Sequence, residues 1–147
     1  MKYTEARLGR VLVVRLEDGD VVHESIEEAA RRAGIERAAV ILLGGADKGS
    51  RLVVGPEDGR AAPVVPLERV LHDVHEAAGV GTIFPDDAGR PVLHLHAAFG
   101  RDDKVLAGCI RRGVTTWVVG EAIVIELVGN AARRVRDAEL GFEVLEP

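Results

Sequence analysis

The stretch PVLHLHAAFG (Pro91–Gly100), with RDD and KVLAGCI behind it, constrains this chain most: an apolar alternation that turns back on itself. Side chains alternate across a strand, so Leu93, Leu95, Ala97 and Phe99 share one face and Val92, His94, His96 and Ala98 the other. The first set reads as the core side. On the returning segment Leu106 and Ile110 belong together, opposed by Val105, Ala107 and Cys109. A hairpin that turns both apolar sets to one core pairs Arg101 with Lys104 and sets Cys109 across from His96. A slip of one residue turns Cys109 to the core.

The flanking sequence supplies a sheet for this hairpin. RVLVVRL (Arg10 to Leu16) reads as a first strand closed by EDGD. Val22, Ile26, Ala29, Ala30 and Ala33 fall at helical spacing, with Asp20 or Ser25 as N-cap, a capping box between Ser25 and Glu28, and Gly34 as terminator. AAVILLGGA predicts a buried strand, and SRLVVG another before a Pro- and Gly-punctuated loop to Pro66. Between Leu67 and Ala78 the spacing favours a helix followed by a strand. TTWVVGEAIVIELVG predicts a long strand and GFEVLE a short last one. The sum is an α+β fold, a central, mostly antiparallel sheet with one or two flanking helices, in a single domain over residues 1–147.

Composition narrows the class of function. The chain has 147 residues, enough to bury roughly two thirds of its unfolded surface without disulfides. Its N-terminus is too polar for a signal peptide, and its apolar runs fall short of the roughly 18 residues of a membrane span. A cytoplasmic location is therefore expected, without membrane contact. The lone Cys109 agrees with a reducing compartment. A net charge of −5 weighs against direct DNA binding through phosphate neutralisation.

Two imidazoles and a thiol on one face suit a divalent metal, zinc above all, and the hairpin backbone fixes the ligand vectors. The vacant fourth position suits water, a small-molecule substrate, or a protein ligand such as His75. His75 and His72 share one side if their segment is helical. Against this stands the plain reading that strand histidines line a half-exposed surface. Glu121 falls in register with Trp117, Val119, Ile123, Ile125 and Leu127, so a regular strand puts its carboxylate on the more apolar face, where it needs a partner. A bulge near Gly120 turns it outwards instead. Turned inwards near the site, Glu121 is the candidate catalytic proton carrier, with Glu76 a weaker one. His23 reads as an exposed polar residue.

GRPVLHLHAAFG, VLAGCI and GEAIVIEL, following GVGTIFPDDAG, together resemble the plants and prokaryotes conserved domain, over nearly the whole chain. The resemblance implies an α+β fold and a homotrimer. Its His-x-His is followed in the family by Gly-Gly-His, whose histidine falls here on Cys109. The fold group is similar to acetolactate decarboxylase, a zinc enzyme with a His-x-His pair and a third histidine on a neighbouring strand; this makes His94, His96 and Cys109 the matching ligands. No arginine and glutamate set matches the decarboxylation machinery. Plant members accompany AT-hooks built on Arg-Gly-Arg-Pro, of which AGRP (Ala88 to Pro91) lacks the first arginine. Two functional classes follow: a metal-binding trimer, with or without catalysis, and a DNA-associated or protein-interaction scaffold.

Overall fold

The structure, a computed structural model, describes residues 1–147. In chain order the elements are β1 (Arg7–Glu17), α1 (Val22–Ala33), β2 (Ala38–Ala46), β3 (Arg51–Pro56), β4 (Pro66–Val70), β5 (His75–Pro85), β6 (Pro91–Arg101), β7 (Lys104–Cys109), β8 (Thr116–Val128), β9 (Arg133–Arg136) and β10 (Glu143–Glu146). Eight strands form one antiparallel sheet in the order β1-β8-β2-β5-β6-β7-β3-β4, and β9 and β10 form a separate ribbon. This is the expected α+β architecture with one helix. That helix is not long and apolar enough to cross a membrane.

Helix α1 lies on one face of the sheet. Its buried residues Val22, Ile26 and Ala30 join a core with Leu16, Val40, Leu42, Leu93, Leu95, Phe99, Ala122 and Val124. Burying an aliphatic side chain of this size stabilises by about 1.5–3 kcal/mol, so the spacing of these positions suffices to dock the helix. Gly34 ends it in the left-handed region (φ 68°), and Ile35 N–H closes onto Ala30 O at 2.9 Å, as the sequence predicts. The start differs. Val21 precedes the first turn with no side-chain cap, Ser25 lies inside the helix, and no capping box forms. Asp20 instead accepts the Glu17 N–H at 2.9 Å, serving the turn after β1.

The helix expected over Leu67 to Ala78 is absent: the segment is β4, a bend, and the start of β5. The open edge of β3 captures Pro66–Val70, and Leu71 turns into the core with its N–H on Ser50 O, so sheet pairing overrides the local periodicity. β2 is buried on one face only. Val40 and Leu42 point inward, whereas Ile41 and Leu43 are exposed on the side away from α1.

β5 comes so close to β6 that there is no room for a side chain at Gly81: a Cβ there meets Leu95 Cβ and His94 O, both at 2.6 Å. Gly81→Ala is therefore expected to cost about 1–3 kcal/mol in urea unfolding. Gly59→Ala, where a Cβ meets open space, stays within about 0.5 kcal/mol of the parent. Equal losses at both positions would contradict this packing.

Candidate metal centre

The strand β6 carries the alternation through. Leu93, Leu95, Ala97 and Phe99 are buried, and His94 and His96 emerge on the opposite face. β7 returns in the expected register, with Arg101 opposite Lys104 and His96 opposite Cys109. Cys109 is held from two sides, because β3 pairs its Val53 with the same residue. Leaving the ladder at that point, β7 exposes the edge of β6. There the Leu93 N–H is accepted not by a strand but by Glu27 Oε1 of α1, at 2.8 Å.

The Nε2 atoms of His94 and His96 lie 3.0 Å apart, with ring planes at 65°. At this distance one nitrogen donates its hydrogen to the lone pair of the other, or both lone pairs turn to a shared cation. Nitrogens at about 2.0–2.1 Å from a tetrahedral zinc are separated by about 3.3 Å, close to what is seen. The donor atoms of His94, His96 and Cys109 all lie within 4.8 Å of one another. Two imidazoles and one thiol are donor types a borderline divalent ion takes, and the most distant of the three has to draw closer for all to reach one ion, because nitrogen and sulfur on the same zinc are at most about 4.4 Å apart.

Two guanidiniums stand at this cluster. Arg111 Nε donates to Cys109 Sγ at 3.3 Å. Arg134, on β9, is only 4% exposed; its Nη2 donates to Thr82 Oγ1 at 3.2 Å, and Thr82 is the cross-strand partner of His94. Burial, then the charges of Arg111 and Arg134 and the neighbouring His96, depress the pKa of His94 to about 4, which keeps its imidazole neutral and able to bind metal. Glu27 shifts the other way: burial raises its pKa, against the Leu93 N–H and the charges of His23 and Arg111.

The other residues singled out from the sequence lie elsewhere in the chain. His75 opens β5, its Nδ1 2.8 Å from Asp73 O, five residues before the Val80 that faces His96, or about 17 Å along the strand. His72 is exposed in the bend before β5, and the two do not share a helical side. Glu121 is exposed, three strands from β6 and so about 14 Å away, opposite Arg15 and Leu43. Both readings of its strand hold in part. β8 is irregular between Trp117 and Gly120, with Val118 at φ 63°, but two residues are inserted, so the alternation keeps its phase. Glu121 does share the face of Ile123 and Ile125; the core lies behind the other face, with Ala122 and Val124. Glu76 is exposed opposite Gly100. His23 is more enclosed than its sequence position suggests, with Nδ1 buried and unpaired.

Sequence reasoning missed Arg111, Arg134 and Glu27. Arg111 was detectable, two residues beyond Cys109 in the turn that follows β7. Glu27 sits between buried helix positions without a local signal. Arg134 reaches the site through tertiary docking of a ribbon whose first strand has no distinct pattern.

The sequence profile of the Plants and Prokaryotes Conserved (PCC) domain matches residues 3–128, from before β1 to the end of β8. The chain belongs to the PCC domain family. Among solved structures it is similar to a metal-containing protein from Archaeoglobus fulgidus (24% identity, TM-score 0.84, all of both chains covered). It is likewise similar to a plant- and prokaryote-conserved protein from Pyrococcus horikoshii (23%, TM-score 0.80, 98% and 99% covered). A protein from Bacteroides thetaiotaomicron described as a candidate DNA-binding protein also matches (18%, TM-score 0.75, 96% of each chain). At these identities the likeness establishes the fold. No curated protein matches the sequence. The PCC profile contains His94, His96, Cys109 and Arg111 but ends before β9, so Arg134 lies outside it.

The depressed His94 has a measurable consequence in metal-free protein. Between pH 6.5 and about 4 the unfolded chain takes up a proton that the folded site refuses, so the stability this group contributes is present above pH 6.5 and lost as pH falls through that window. NMR titration is expected to place His94 near pH 4. A midpoint at the ordinary histidine value would contradict the burial and charge assigned to it.

Proposed function

We propose that this PCC-domain protein is a cytoplasmic, homotrimeric metal-binding protein, with zinc as its ion, held by His94, His96 and Cys109. The carrying observation is the convergence of three donors of the right chemistry on adjacent strands, within 4.8 Å of one another. The metal-containing protein from Archaeoglobus fulgidus, alike over its full length, supports the reading. An ion with this ligand set polarises an oxygen ligand or acidifies a bound water. Glu27, on the neighbouring helix, holds the adjacent strand end with a carboxyl whose burial favours the protonated form. Glu121 and His75 are too distant within one subunit to take part.

The trimer draws support from the sheet face opposite α1. Val11 and Val13 of β1, Ile41 and Leu43 of β2 and Val80 of β5 are exposed there, with half-buried Ile123 and Ile125 of the intervening β8 linking β1 to β2. A contiguous apolar patch of this kind marks an interaction surface. It continues to His96, so assembly would enclose the site.

A DNA-associated scaffold is the second reading, favoured by the description of the Bacteroides thetaiotaomicron protein. The net charge of −5 argues against it, since phosphate neutralisation needs a basic surface.

Native mass spectrometry tests assembly and metal together: three chains with one zinc per chain are expected. His94→Ala/His96→Ala should remove the zinc. Cys109→Ala should weaken zinc binding by more than the roughly 10–100-fold typical of changes outside the ligand shell. Protein without metal after exposure to zinc, or zinc retained unchanged in the double variant, would reject the site.

A further inference from the structure

Arg134 is a buried cation without a counter-ion. Its hydrogen bonds run to neutral oxygens only, Thr82 Oγ1 at 3.2 Å and the Thr82 and Val92 carbonyls at 3.5 Å, the last two at the limit of a useful bond. None of the molecule's ion pairs includes Arg134 or Arg111. The single hydrogen bond of Arg111 goes to Cys109 Sγ. A buried guanidinium is ordinarily paired, because desolvating a charge is costly and a fork of N–H donors matches an oxyanion.

The two arginines belong to the face that carries the cluster. Thr82, which Arg134 grips, stands directly across the β5–β6 ladder from His94. Arg111 follows Cys109 by two residues and touches its sulfur. A dication bound by two neutral imidazoles and one thiolate keeps a net positive charge, and the guanidiniums add two more. The carboxylates whose charges reach these arginines, Glu27 towards Arg111 and Glu143 towards Arg134, offset part of this without approaching either to 4.0 Å.

We infer that the open position of the His94, His96 and Cys109 centre, flanked by Arg111 and Arg134, is a subsite for a small oxyanion, the carboxylate or phosphate group of the protein's ligand. This rests on the metal-binding reading and adds the chemical class of what completes the site. One oxygen meets the ion while another meets a guanidinium, so oxyanions are favoured over neutral donors of equal strength as metal ligands.

Cobalt-loaded protein separates the two readings, because the visible absorption of Co²⁺ reports both its own binding and the arrival of a further ligand. Acetate, inorganic phosphate and neutral imidazole are titrated into the wild type, Arg134→Gln and Arg111→Gln. Arg111 is exposed, so its variant provides the test even where the buried Arg134→Gln misfolds. Losing a hydrogen bond to a charged group corresponds to on the order of tenfold or more in affinity, and that weakening is expected for acetate or phosphate in both variants, with imidazole unchanged. Whichever anion binds more tightly identifies the ligand group. Absence of a cobalt spectrum in the wild type overturns the metal-binding reading and this one with it. A normal cobalt spectrum with anion affinity unchanged in the variants, or with imidazole weakened equally, overturns the oxyanion subsite alone.

Discussion

The rest of the structure depends on burying Leu93, Leu95, Ala97 and Phe99 while β6 pairs with strands on both sides. A strand shifted by one residue would expose these four side chains and drive two imidazoles into hydrocarbon. Core formation therefore selects the register, and the register determines the site: it turns His94 and His96 to the other face and delivers Cys109 opposite His96. Gly81 lets β5 approach closely enough to support that strand, and Val53 of β3 pins Cys109 from the far side. The placement of these three side chains is a by-product of packing on the opposite face, so it needs no flexible loop.

Electrostatics keep the most buried imidazole of the cluster unprotonated. Burial and two guanidiniums keep His94 neutral, the form in which imidazole binds an ion. Arg111 donates from Nε to Cys109 Sγ beside it.

The hairpin, its register, the helix and its glycine terminator were legible because each rests on a short-range period or a turn residue. Other features depended on contacts the sequence does not encode locally. Leu67 to Ala78 carries helical spacing, yet an unpaired edge of β3 claims it as strand. The apolar face of β8 was recognised correctly, but that face is the exposed one, so Glu121 needs no buried partner. His75 would approach the histidine pair only if its segment coiled, and as the first residue of β5 it is held at the far end of the ladder. Arg134 was invisible because the ribbon that carries it docks on the sheet through tertiary contacts.

The central claim is that two imidazole nitrogens and one thiolate sulfur bind the same ion. X-ray absorption at the zinc edge of metal-loaded protein addresses it most directly. Two nitrogen scatterers at about 2.0–2.1 Å, one sulfur at about 2.3 Å and one further light atom are predicted. A shell of nitrogen and oxygen only, unaltered in Cys109→Ala, would contradict the account.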